Sequence, residues 1–198
     1  MCEDEKSLLE KAKNGDVFAY ESLIEGYQKK VFNLALRMVG NREDASELAQ
    51  EVFIRVYKSL KGFKEQSQFS TWIYKITTNV CLDELRKRKN RNITSLDEEI
   101  KLEDSEIKRQ IEDDKPTPEM IVEKNELKKV VSDAIKLLSD EHRTVIVMRD
   151  IQGFSYEEIA RIINCPEGTV KSRLNRARLA LKEILKGKAE LLSYEFVK

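Results

Sequence analysis

A chain of 198 residues has room for one domain or two small ones, and with 40% hydrophobic and 36% charged residues it reads as globular with well-solvated helical surfaces. Only seven glycines and three prolines are present, which leaves few places for tight turns and predicts an all-α fold. The longest aliphatic run near the C-terminal half is Val145–Met148, the acidic start Met1–Glu5 lacks the apolar stretch of a signal peptide, and Cys2, Cys81 and Cys165 are odd in number and far apart; membrane insertion, secretion and a disulfide framework are therefore not expected, and the cytosol is.

Residues 1–93 carry repeated helical patterns. Asp16 is placed to cap a helix holding Phe18, Leu23, Ile24, Val31, Leu34 and Leu36, broken by Gly40 and Asn41. Asn41 can cap a second helix, with Asp44 in its first turn and Ala45, Leu48, Ala49, Val52 and Val56 on one apolar face. Gly62 breaks that helix. The polar stretch Lys64 to Gln68 follows, then a helix from about Ser70 to Arg88 with Ile73, Ile76 and Val80 as its buried stripe.

Residues 94–126 differ in character. Asp97 to Glu126 holds twelve acids against five bases, a net of −7, with no aromatics and with Pro116 and Pro118 as breakers. This predicts an acidic linker, extended by the repulsion of its like charges.

A second helical part spans 127–198. Leu127, Val130, Val131, Ala134, Leu137 and Leu138 have helical spacing, Ser139 and Asp140 offer a break and a cap, and Val145, Ile146 and Met148 lie on the next helix, ended near Gly153. Ser155 followed by Glu158 is a capping box, starting a helix with Ile159, Ala160, Ile162 and Ile163. Asn164 and Cys165 make a turn, and Pro166 suits the first helical position after it, where a missing N–H costs nothing. Val170, Leu174, Ala177 and Leu181 then recur at core spacing, while Lys171, Ser172, Asn175 and Arg178 point away, with Arg173 and Arg176 on the flanks. From Arg161 to Lys188 eight bases face two acids, a net of +6, and Arg86 to Arg91 adds five more bases. Two basic patches flanking an acidic segment predict contact with a polyanion at two places. Residues Ser155 to Lys182 thus read as a helix-turn-helix whose second helix binds duplex DNA. Its cations meet phosphates, and its Arg and Asn side chains can read base edges.

Three motifs resemble one family. Ser155–Ala160 (SYEEIA) followed by Asn164–Arg178 (NCPEGTVKSRLNRAR) resembles the C-terminal promoter-reading domain of bacterial RNA polymerase sigma factors of the sigma-70 family, extracytoplasmic-function subfamily. Asp44–Phe53 (DASELAQEVF) resembles that family's core-polymerase-binding helix. Phe69–Asn79 (FSTWIYKITTN) with Asp83–Arg88 (DELRKR) resembles its promoter-melting and −10 segment. Asn164 stands where many members have Gly, and Asn tolerates the left-handed geometry.

The resemblance implies a transcription initiation factor that binds core RNA polymerase and directs it to promoter DNA. Residues 127–198 would read the −35 element as duplex, through Thr169, Lys171, Ser172, Arg173, Asn175, Arg176 and Arg178. Residues 1–93 would melt the −10 element and hold one strand, through Gln66, Ser67, Gln68, Trp72, Asn79, Asp83, Arg86 and Arg88. Gln66, Ser67 and Gln68 have the hydrogen-bonding groups that a flipped base requires; Trp72 reads either as core or as a wedge at the melted junction. Asp44, Glu47, Gln50, Glu51 and Phe53 would meet the polymerase, and an anti-sigma factor is the implied regulator. A monomer is expected when free.

An enzyme, a metal site or a cofactor has no support in the residues. His142 is the sole histidine, and no Gly-rich phosphate loop is present. The competing expectation is a dimeric helix-turn-helix regulator that binds an operator without polymerase. It leaves Asp44–Phe53 and Phe69–Arg88 without a role.

Overall fold

The computed structural model describes residues 3–65, 67–94 and 118–195. Among them are eight α-helices and no strand. The first group is α1 (Glu3–Lys13), α2 (Val17–Val39), α3 (Arg42–Ser59), a 3-10 turn (Leu60–Gly62) and α4 (Phe69–Thr94). The second is α5 (Pro118–Lys136), α6 (Asp140–Ile146) running into a π-helical turn (Val147–Ile151), α7 (Tyr156–Ile163) and α8 (Glu167–Glu195).

The caps read from sequence form as hydrogen bonds. Asp16 accepts from the Ala19 N–H at 3.1 Å, and Asn41 accepts from the Asp44 N–H at 2.8 Å. Gly40 ends α2 in the left-handed conformation, φ +88°, and its N–H returns to the Leu36 carbonyl. On α3 the five expected residues Ala45, Leu48, Ala49, Val52 and Val56 are the buried ones. On α4 Ile73 and Val80 are buried, as are Tyr74, Thr77, Thr78 and Cys81, because that helix is covered on more than one side. The Thr77 and Thr78 hydroxyls donate to the carbonyls of Ile73 and Tyr74 at 2.8 Å, so neither is left without a partner inside.

Several expectations are corrected. Phe18 is 82% exposed, since the buried face of α2 runs through Ala19, Tyr20, Leu23 and Ile24. The inward stripe of α5 is rotated from the one expected: Ala134, Ile135 and Leu138 are buried, whereas Leu127 and Leu137 are exposed. α4 continues past Arg88 to Thr94, and α5 starts at Pro118, before the boundary expected at 126. Proline is tolerated in a first turn, where its absent N–H would have had no partner.

The two groups touch. α7 lies on α4, where the Phe154 ring meets the Tyr74 ring edge-on at 4.8 Å between centroids. Arg143 of α6 is buried and donates to the Met38 carbonyl at 2.8 Å and the Leu138 carbonyl at 3.2 Å, with a third bond to the Lys136 carbonyl. It thereby ties the end of α2 to the end of α5, although its Nε finds no partner. The Lys136 stem crosses Gly40, where a Cβ would stand 2.9 Å from Lys136 Cε.

Candidate nucleic-acid and protein interfaces

α7, its turn and α8 form the helix-turn-helix. The capping box closes in both directions: the Glu158 N–H donates to Ser155 Oγ at 3.1 Å and the Ser155 N–H to Glu158 Oε2 at 2.8 Å. Asn164 takes the left-handed conformation, φ 53° and ψ 55°, with its N–H on the Ala160 carbonyl. Pro166 sits one place earlier than expected, at the N-cap, where its carbonyl accepts from the N–H groups of Thr169 and Val170. Val170, Leu174 and Ala177 are buried and Leu181 is half-buried, which fixes the rotation of α8.

That rotation exposes Lys171, Ser172, Asn175, Arg176 and Arg178 and leaves Thr169 and Arg173 half-buried. The cations are less free than their spacing suggests. Lys171 pairs with Glu167 at 2.7 Å, which favours its charged form, and lies over the Tyr156 ring. Arg173 pairs with Glu141 at 3.4 Å. Arg178 grips Asp150 with two bonds, at 3.0 and 2.5 Å. Arg176 alone among these four has no carboxylate partner among the described residues. Exposed pairs of this kind are worth about 0–1 kcal/mol, so a phosphate can displace the carboxylate.

On α4, Asn79 and Arg86 are exposed and Asp83 is half-buried; Arg86 pairs with Asp83 at 3.3 Å, so these three share one outward face. Arg88 departs from the expectation. It is half-buried between Asp44 of α3 and Glu84 of its own helix, the latter at 3.1 Å, and so clamps α4 to α3. Asp44 is likewise engaged, by Arg88 and by the Asn41 cap, and does not stand free as a polar surface group.

The stretch before α4 leaves the buried Phe63 and returns at the buried Phe69. Gln66 lies outside the described residues; Ser67 is half-buried and Gln68 exposed. Phe63, Phe69 and Trp72 form an aromatic floor, with Phe63–Trp72 centroids 4.8 Å apart and Phe69–Trp72 centroids 5.8 Å apart. Trp72 is half-buried against the Phe63 and Phe69 rings.

On α3, Glu47 and Gln50 are exposed, Glu51 pairs with Arg55 at 2.5 Å, and Phe53 is half-buried with its carbonyl accepting from the Tyr20 hydroxyl at 2.6 Å. Among the described residues, no group of three His, Cys, Asp or Glu is placed to hold a metal ion, and no helix is long and apolar enough to cross a membrane. Sequence reasoning did not find Arg88 as a clamp, Arg143 as a tie between helix groups, or the contact of Lys13 with Glu65 at 2.6 Å.

Comparison with known proteins accounts for both groups of helices. Residues 23–91 match the family model of sigma-70 region 2 and residues 128–181 that of sigma-70 region 4. The chain is 38% identical to the ECF RNA polymerase sigma factor SigW of Bacillus subtilis, covering 91% of this chain and 96% of that one. It is 35% identical to the RNA polymerase sigma-H factor of Pseudomonas aeruginosa, covering 92% and 94%. In fold it is similar to the sigma factor RpoE of Bartonella quintana, solved with the anti-sigma factor NepR, at TM-score 0.65 and 24% identity over 84% of this chain and 96% of that one. CnrH, solved with the cytosolic domain of CnrY, gives TM-score 0.65 and 22% identity over 93% and 99%.

Proposed function

The chain belongs to the sigma-70 family of RNA polymerase sigma factors, in its extracytoplasmic-function branch, and from that premise we propose how its surfaces divide the work of initiation. It is a transcription initiation factor and not an enzyme. The reading is carried by one observation: a helix-turn-helix with an exposed basic face and a second basic helix, α4, stand on separate helix groups of one chain, in the order the family has them.

Residues 127–198 read the −35 element. Lys171, Arg173 and Arg178 exchange their carboxylates for phosphates, and Arg176 and Asn175 reach base edges, since guanidinium and amide groups match base donors and acceptors bidentately. Residues 1–93 act on the −10 element. Asn79 and Arg86 line a track for a single strand, and the stretch between Phe63 and Phe69 accepts an unstacked base over the aromatic floor. Glu47, Gln50 and Glu51 on α3 face core polymerase, while Arg88 and Asp44 hold α3 and α4 in fixed relation behind those surfaces. The acidic stretch between α4 and α5 links the two parts. An anti-sigma factor is the regulator, as NepR is the anti-sigma factor bound to RpoE in a solved structure that shares this fold. The cytoplasm, where polymerase and promoters meet, is the place of action.

Elements at −35 and −10 lie about 25 base pairs apart, or about 85 Å along duplex at about 3.4 Å per pair. Here α7 rests on α4, with Tyr74 and Phe154 in contact. The two readers therefore separate when both engage a promoter. DNase footprinting of promoter fragments with the chain alone and with core polymerase tests this. Protection of both elements in one complex, only with core present, is expected. Equal protection of a short palindromic site without polymerase would instead establish an operator-binding regulator.

A further inference from the structure

The stretch that accepts the −10 base is fastened by a helix lying before the family match. The region 2 match begins at residue 23, whereas α1 covers Glu3–Lys13. Leu9 and Ala12 anchor α1 in the core, at 1% and 3% exposure, so packing fixes where its polar side chains emerge. One of them meets the stretch directly and another through a ring of α2. Glu5 accepts a hydrogen bond from the Tyr27 hydroxyl at 2.7 Å, and the Tyr27 ring stands edge-on to Phe69, where the stretch returns, at 5.4 Å. Lys13 Nζ lies 2.6 Å from Glu65 Oε1 and 5.3 Å from the ring centroid of Phe63, where the stretch leaves.

Glu65 is held at φ +54°, in the left-handed region that non-glycine residues seldom occupy. Such a conformation persists where its surroundings determine it. Lys13 is the charged group that grips this residue. It also answers an electrostatic problem, since an unpaired carboxylate beside a captured strand repels the phosphates. The favourable pairing holds the Glu65 carboxyl below its ordinary range.

We propose that Lys13 is a positioning residue for promoter melting: it holds Glu65 in its left-handed conformation where the chain leaves Phe63, and so sets the selectivity for the base received beside it, without touching DNA. This rests on the reading that the stretch accepts an unstacked −10 base. The pair lies near the surface, with the Lys13 side chain 21% exposed and that of Glu65 48%, and exposed pairs add little to stability. Its loss should leave the fold intact and alter selectivity.

The test uses holoenzyme rebuilt from core polymerase and the full chain, on a promoter that it opens. Permanganate reactivity of the −10 thymines is read on that promoter and on versions substituted at each −10 position. Lys13→Met and Glu65→Gln are each expected to lower base discrimination about two- to fivefold, the range an exposed pair supports. Core affinity and the melting temperature of the chain should not move. Lys13→Arg should keep wild-type discrimination, and the exchange Lys13→Glu with Glu65→Lys should restore it. Unchanged discrimination in Lys13→Met, or an exchange that restores nothing, overturns the proposal. A wild-type holoenzyme with no preference at any −10 position overturns the base-accepting reading itself, and this role for Lys13 with it.

Discussion

Arg176 and Arg178 stand two positions apart on α8 and differ in what they already hold. Arg178 must give up two bonds to Asp150 before it can meet a phosphate, whereas Arg176 holds no carboxylate among the described residues. Arg176→Ala should therefore weaken holoenzyme binding to a promoter by about tenfold or more, and Arg178→Ala by less, because breaking the bonds to Asp150 offsets part of what Arg178 gains on meeting a phosphate. Titration of labelled promoter with holoenzyme over a salt series measures both; an equal or reversed order would contradict the assignment. The same scale shows what the sequence could not carry. Arg88 looks like one more cation in the Arg86–Arg91 run, and only folding brings it to Asp44, 44 positions away. Arg143 finds the Met38 carbonyl across 105 positions, and Lys13 finds Glu65 across 52. No helical periodicity encodes such pairs, since periodicity reports which face is buried and not what meets it.

Local rules do reach the elements. The buried stripe of α3, the Asp16 and Asn41 caps, the Ser155–Glu158 box and the left-handed Asn164 were all legible, because each depends on neighbours within four positions. The stripe of α5 was not. Ile135 is inside and Leu137 outside, a choice that α8 and α2 make by packing on it, while apolar residues at 127, 130, 131, 134, 135, 137 and 138 fit more than one rotation. The side of α3 proposed to face polymerase lends itself to a test at this scale. Glu47→Lys should lower affinity for core polymerase with little change in thermal stability, because Glu47 is exposed. Glu51→Lys should lower it too, with a small loss of helix stability, a few tenths of a kcal/mol, since it places like charges at Glu51 and Arg55. Direct binding assays with melting curves separate the two effects; unchanged affinity in both variants would move the interface to another face.

At the scale of the whole molecule, the two helix groups are in contact, joined by the buried Arg143, the Tyr74–Phe154 rings and the Lys136 stem over Gly40. Tyr74 is 7% exposed and its hydroxyl is pushed up to about 12, first by burial and then by the charge of Glu158 on α7. The helix-turn-helix is the part most readily recognised in the sequence, yet alone it would mean no more than attachment to DNA. Under the proposed division of work it is one of two promoter contacts on one chain, resting on α4 in the free protein and acting with the other contact once polymerase holds them at the right separation; tethered contacts gain their specificity in this way. Run-off transcription with purified core polymerase, the purified chain and a library of genomic fragments asks this most directly. New transcripts that require both proteins and start downstream of a shared pair of elements are expected; the absence of any chain-dependent transcript across the library would contradict a role in initiation.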